Sequence, residues 1–177
     1  MEIEWINVEP GKVFIGSDNR SILFGGVGPR HEVKIDYDFE ISYLPVDSET
    51  TEVLIKNDDY YVASESEWTL AMEKGLISGN NGIEELSDKI RGSYWSKYCD
   101  GRPFIEDDWL MKVSRAWNSG VPKISLIPRG ENSDCFRLVR RKGQNNFDHI
   151  APQLPDSSDK SQLLIEELVI SLLFGII

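Results

Sequence analysis

The sequence predicts an α+β domain, on three observations. From His31 to Ile41 apolar and charged residues alternate: Val33, Ile35, Tyr37, Phe39 and Ile41 fall on one face, and Glu32, Lys34, Asp36, Asp38 and Glu40 on the other. Period two over that length is a half-buried strand. Ser64-Glu65-Ser66-Glu67 has the form of a capping box, in which Ser64 accepts from the amide of Glu67 and the Glu67 side chain reaches back. The third observation is bulk: 177 residues that are 40% hydrophobic and 10% aromatic suffice for one packed core.

Taken in order, Trp5 to Val8 is a short strand, Glu9-Pro10-Gly11 a turn, and Lys12 to Ile15 a second strand. Residues 16–30 are a loop. Its Gly25-Gly26-Val27-Gly28-Pro29 run opens no helix and is no phosphate cradle. After the long strand, Asn57-Asp58-Asp59 turns and Tyr60 to Ala63 is extended. Trp68, Ala71 and Met72 continue the capped helix, which Gly75 stops. Ile83, Leu86 and Ile90 suggest a second short helix, closed by Gly92. Trp109, Val113 and Trp117 fit a helical face, yet their flanks suit a strand equally well. Lys123 to Ile127 and Cys135 to Arg140 read as paired strands around the turn Arg129-Gly130-Glu131-Asn132. Residues 1–142 form the domain, and 143–161 read as a polar linker. In 162–177, Leu164, Ile165, Leu168, Val169, Leu172, Leu173 and Ile176 recur at helical spacing, predicting an apolar C-terminal helix. Sixteen residues with two glutamates fall short of the ~20 that a membrane span needs. Such a stripe requires cover. It packs on this domain, or self-associates or meets a protein partner through Leu164, Leu168, Leu172 and Ile176.

A net charge of −11 and a pI near 4.6 disfavour nucleic acid and anionic lipid. Arg137, Arg140, Arg141 and Lys142 are the obvious basic cluster and read as a solvated strand edge. Cys99 and Cys135 have no metal-ligand spacing, and Met1 to Trp5 lacks the pattern of a signal peptide. The expected compartment is a reducing cytoplasm.

Six segments then resemble, in order, the formylglycine-generating (sulfatase-modifying factor) family. Gly11-Lys12-Val13-Phe14-Ile15-Gly16-Ser17 is similar to its opening Gly-x-Phe-x-Met-Gly-Ser strand. Pro29-Arg30-His31-Glu32-Val33 running into Phe39-Glu40-Ile41 resembles Pro-x-His-x-Val … Phe-x-Ile. Tyr61 to Ala71 matches Arg-Leu-Pro-Thr-Glu-Ala-Glu-Trp-Glu-x-Ala. Gly92 to Asp100 resembles Gly-Asn-Val-Trp-Glu-Trp-x-x-Asp, and Val113 to Asn118 resembles Val-x-Arg-Gly-Gly-Ser-Trp less one residue. Asp134 to Arg140 is similar to the closing Gly-Phe-Arg-Leu-Val-Arg strand. The resemblance implies a C-type-lectin-like fold with a small twisted antiparallel sheet, few helices and long loops.

The departures bear on chemistry. The family's oxidases hold copper on a cysteine pair just after the fifth motif, where this chain reads Asn118-Ser119-Gly120-Val121-Pro122-Lys123-Ile124. A serine hydroxyl neither binds Cu(I) as a soft thiolate does nor supports the redox step. No catalytic residue and no resident cofactor is therefore expected. Calcium is the one structural ion the resemblance allows; Asp100, Asp107 and Asp108 are its candidates, with Asn118 and Asn132 nearby in sequence, and ordinary loop chemistry accounts for all of them. Candidate ligand-binding residues are Trp95 and Trp109 as pocket walls, with Asn118, Arg115 and Arg129; internal ion pairs are the competing role for Arg115, Arg129 and Arg137. Trp68 is expected in the core. His31 is expected to make a structural hydrogen bond and His149 to be solvated. Glu67 caps the helix and Glu65 complements its N-terminal charge.

The expected function is a non-catalytic binding or assembly module. One alternative is a divergent oxidoreductase recruiting Cys99, or one resembling the lectin-like half of the nonheme-iron sulfoxide synthases, which needs a histidine-bearing iron domain. The other is a ligand-binding lectin-like variable protein, which calls for more Tyr and Asn than residues 116–134 hold.

Overall fold

The computed structural model describes residues 2–18, 27–143, 147, 151–156 and 172. Its first elements are the strands β1 (Trp5–Val8) and β2 (Gly11–Ile15). The alternating segment folds as two strands, β3 (His31–Ile35) and β4 (Phe39–Ser42), with a bend between them. Its side-chain alternation survives the bend, since Val33, Ile35, Tyr37, Phe39 and Ile41 are all buried. β5 (Val46–Asp47) leads directly into α1 (Ser48–Leu54), a helix the sequence reading misses. Asp47 caps it, accepting from Thr50 N and Thr50 Oγ1 at 2.8 Å each. Threonines and a valine give this segment little helical propensity, so the cap and the packing carry it.

β6 (Tyr61–Val62) precedes α2 (Glu65–Glu73), whose capping box is complete: Ser64 Oγ accepts from Glu67 N and Glu67 Oε2 accepts from Ser64 N. Gly75, at φ +70°, ends the helical stretch as expected. The chain continues through β7 (Gly82–Ile90), β8 (Met111–Asn118), β9 (Val121–Pro128), β10 (Cys135–Phe136) and β11 (Leu138–Arg141).

Two of these strands correct the sequence reading. Residues 82–90 are a strand rather than a helix. Ile83, the first of the three apolar positions, is exposed, while the polar Glu84, Glu85 and Asp88 are buried against partners, which no apolar periodicity reveals. β9 pairs with β8, not with residues 135–140. Asn118 faces Val121, which leaves Ser119 and Gly120 as a two-residue loop. Both have positive φ (51° and 80°), the backbone that matches the twist of a tight hairpin.

The result is a mixed α+β body of small, mostly antiparallel sheets. One has the order β1-β4-β11-β6, a second β5-β10-β7-β8-β9, and β2 pairs with β3 alone. Among the described strand pairs only β10–β7 is parallel, with a single parallel bridge from Lys89 to Ile105 beside it. α2 packs on β2, β3 and β7. Its Trp68, Leu70 and Ala71 close a core with Val13, Ile15, Phe39, Ile41, Leu86, Met111 and Trp117. Trp68 and Trp117 meet edge to face at 6.1 Å.

Part of the expected linker is packed against the body. Residues 151–156 run beside 96–99, with bonds from Cys99 N to Pro152 O, Leu154 N to Lys97 O and Ser96 N to Pro155 O. Phe147 sits edge-on to Tyr37. The predicted C-terminal helix, with Leu164, Leu168 and Ile176, lies outside the described residues, as does His149; Leu172 is described and is 70% exposed. Among the described residues no helix is long and apolar enough to cross a membrane.

Replacing Ser64 with alanine removes the cap and a further bond to Gly101 O (2.6 Å). Urea unfolding should show a loss of about 1–2 kcal/mol. An unchanged midpoint would mean that α2 does not depend on its cap.

Candidate functional site

Three glutamates that a sequence reading places at a helix terminus or on a surface are fully enclosed. Glu65, Glu67 and Glu84 are at most 2% exposed. Each meets an arginine from a distant part of the chain: Arg115 Nη2 at 2.8 Å from Glu65, Arg141 Nε at 2.6 Å from Glu67, and Arg137 Nη2 at 2.6 Å from Glu84. Tyrosines complete the shells, Tyr94 donating to Glu65 (2.6 Å) and Tyr37 to Glu67 (2.7 Å). Trp68 Nε1 donates to Glu84. Burial alone raises the Glu65 carboxyl, but Arg115 and Tyr94 outweigh it and hold the group below its ordinary range. The Tyr94 hydroxyl is pushed well up by burial and by that same glutamate.

Beside Glu65 lies a second buried set. The Nδ1 of His31 donates to Pro29 O (2.8 Å), which leaves Nε2 to accept from Lys97 Nζ (3.0 Å). This tautomer satisfies both contacts, and the expected structural role of His31 holds. Burial, then the Lys97 charge, lowers its pKa to about 4. Asp88 accepts from Glu65 N and Phe104 N, and burial followed by repulsion from Glu65 pushes it up to about 6. The Lys97 ammonium is lowered by burial, against the pull of Asp88 and Glu65.

The candidate ligand-binding residues are not brought together. Arg115 is spent on Glu65 and stacks 4.8 Å from the Trp68 ring centroid. Trp109 and Arg129 do meet, the guanidinium 4.5 Å from the ring, with Lys89 on the same ring at 5.1 Å, so this aromatic face is already taken by the chain's own cations. Trp95 is half-buried in the loop after β7, and Asn118 is exposed beside the β8–β9 turn. The basic cluster read as a solvated edge is corrected too: Arg137 is fully buried and Arg141 nearly so, because each neutralises a buried carboxylate. Arg140 pairs with Glu40 over Trp5, and only Lys142 is exposed. The calcium candidates are dispersed: Asp100 holds Arg102, Asp108 holds Arg91, and Asp107 is exposed. Among the described residues no three His, Cys, Asp or Glu side chains converge as metal ligands.

The open space lies elsewhere. Cavities of about 530 and 460 Å³ share Pro45, Asn80, Asp134 and Cys135 in their walls. Lying side by side on that shared wall, they make a grooved face that extends from Glu2–Glu4 and β5 toward Trp117 and the end of β9. A smaller cavity of about 230 Å³ lies over Glu65, Trp68 and Arg115. Both cysteines are free thiols; Cys135 is pushed up to about 11 by burial and the neighbouring Glu84, and Cys99 is raised by burial.

Comparison with family models, curated proteins and solved structures finds no match. The groove therefore stands on its own geometry. Sequence reasoning missed Asn80, Asp134 and Cys135 as neighbours, since they come together only when β10 inserts between β5 and β7.

Opposed titrations are a measurable consequence. His31 is protonated more readily in the unfolded chain, so it makes stability rise with pH between about 4 and 6.5. Asp88 is protonated more readily in the folded chain, so it makes stability fall between 3.8 and about 6. Relative to the unsubstituted chain, the stability of Asp88→Asn should increase with pH across its window, and that of His31→Gln should decrease across its own. Urea unfolding over a pH series reads both; slopes identical to the unsubstituted chain in both variants would remove the assignment.

Proposed function

We propose that this chain is a non-catalytic binding or assembly module on a formylglycine-generating-enzyme-like, C-type-lectin-like scaffold. The observation that carries the reading is the disposition of its reactive groups. Glu65, Glu67 and Glu84 are each neutralised by an arginine; Glu84 reaches the wall of the open groove and Glu65 that of the smaller cavity only in this paired form. The stretch that stands where the family carries its cysteine pair is a solvent-exposed hairpin tip, with Ser119 and Gly120 at positive φ. Such a tip offers no shielded pocket for Cu(I). Cys99 and Cys135 have raised thiol pKa values and are poor thiolates at neutral pH. The order of elements supports the scaffold: a capped helix directly after β6, and a closing strand β11 set between β4 and β6. Two free thiols favour a reducing, cytoplasmic setting.

Supplied with Cu(I), oxygen and a cysteine-bearing peptide, the protein should take up no oxygen above the buffer rate. Uptake that disappears in Cys99→Ser would overturn the non-catalytic reading. Assembly is assigned to the apolar segment carrying Leu164, Leu168, Leu172 and Ile176. Because residues 151–156 pack on the body, the informative truncation ends at Asp156. The full chain should sediment as an oligomer and the truncated chain as a monomer; two equal monomers would remove the assembly role.

A further inference from the structure

We infer that the groove around Cys135 binds an extended polypeptide segment bearing lysine or arginine. This rests on the binding-module reading and names its ligand. Among the described residues the groove walls carry Glu2, Glu4, Asp47, Glu131 and Asp134 and no lysine or arginine; Asp47 feels the chain's α-ammonium, and its oxygens accept from Thr50. None of these five carboxylates is in an ion pair among the described residues. Glu84 also reaches the wall, but Arg137 neutralises it. Lys112, which donates to Glu131 O, is already paired with Glu85. A concave lining in which carboxylates outnumber cations concentrates cations.

Two further observations are independent of charge. Tyr43 and Leu44, 37% and 43% exposed, add apolar surface that suits the methylene stem of a lysine. Among the described residues β5 has a strand neighbour on one side only, which offers an edge for main-chain pairing. Cationic head, apolar stem and extended backbone together describe a basic peptide segment. A simple amine has no backbone to pair with the edge, and a nucleic acid is repelled by the acids.

The test follows alkylation of Cys135 by a maleimide, mapped by mass so that Cys99, which lines neither cavity, serves as internal control. The probe is a blocked hexapeptide alternating lysine and leucine. It should slow alkylation of Cys135 and leave Cys99 unchanged, while the glutamate–leucine counterpart slows neither. Asp47→Asn with Asp134→Asn, in which asparagine still caps α1, should raise the half-saturating peptide concentration by about tenfold. Glu73→Gln with Asp107→Asn, exposed acids outside the groove, should leave it unchanged. Equal weakening by both pairs would reduce the effect to overall charge and overturn the site, as would failure of the lysine–leucine peptide to protect Cys135. Protection by the glutamate peptide instead would overturn the ligand class and leave the binding-module reading standing. Oxygen uptake under copper, by contrast, overturns that underlying reading alone.

Discussion

The carboxylate of Glu67 is the point on which the structure depends. It caps its own helix through Ser64 N, receives the hydroxyl of Tyr37 from the segment between β3 and β4, and takes two bonds from Arg141 of β11. A charge this deep is tolerable only when every oxygen is engaged. The need to engage them ties helix, strand and bend into one register. Arg137 makes the same demand four residues earlier, donating to Ser42 O, Tyr43 O, Ser78 O and both oxygens of Glu84. Between these two arginines β11 has little freedom to slip against β4 and β6.

This arrangement explains what could be read in the sequence. The capped helix was legible because Ser64 and Glu67 signal each other locally, three residues apart. The strand at His31 to Ile41 was legible because alternation is also local, and it survives the bend. The strand at 82–90 was not. Its buried residues are Glu84, Glu85 and Asp88, whose burial is stabilised by Arg137, Lys112 and backbone amides from remote segments. The same long-range pairing hid the fate of Arg137 and Arg141, which by composition alone belong at the surface.

Site residues fared worse than elements for a related reason. Trp109 and Arg129 offer chemistry that ligands use, and the chain uses that chemistry on itself. Asp134 and Cys135 carry no local signal. They reach Pro45 and Asn80 only because two-residue strands lie side by side, with β10 between an antiparallel and a parallel partner. The order of sheet strands, rather than any motif, creates the groove.

That order also has a temporal meaning. β11 lies between β4 and β6 in the sheet, yet it leaves the ribosome more than seventy residues after either of them. Until it arrives, Glu67 and Glu84 have no guanidinium, and the facing edges of β4 and β6 have no partner. The nascent chain cannot complete this sheet piecemeal, and folding has to wait for residues near the end of the described body. Closure of this non-local kind slows folding, because loop entropy is lost before the contacts that repay it form. Unpaired strand edges are what a partly folded chain of this topology exposes to its neighbours.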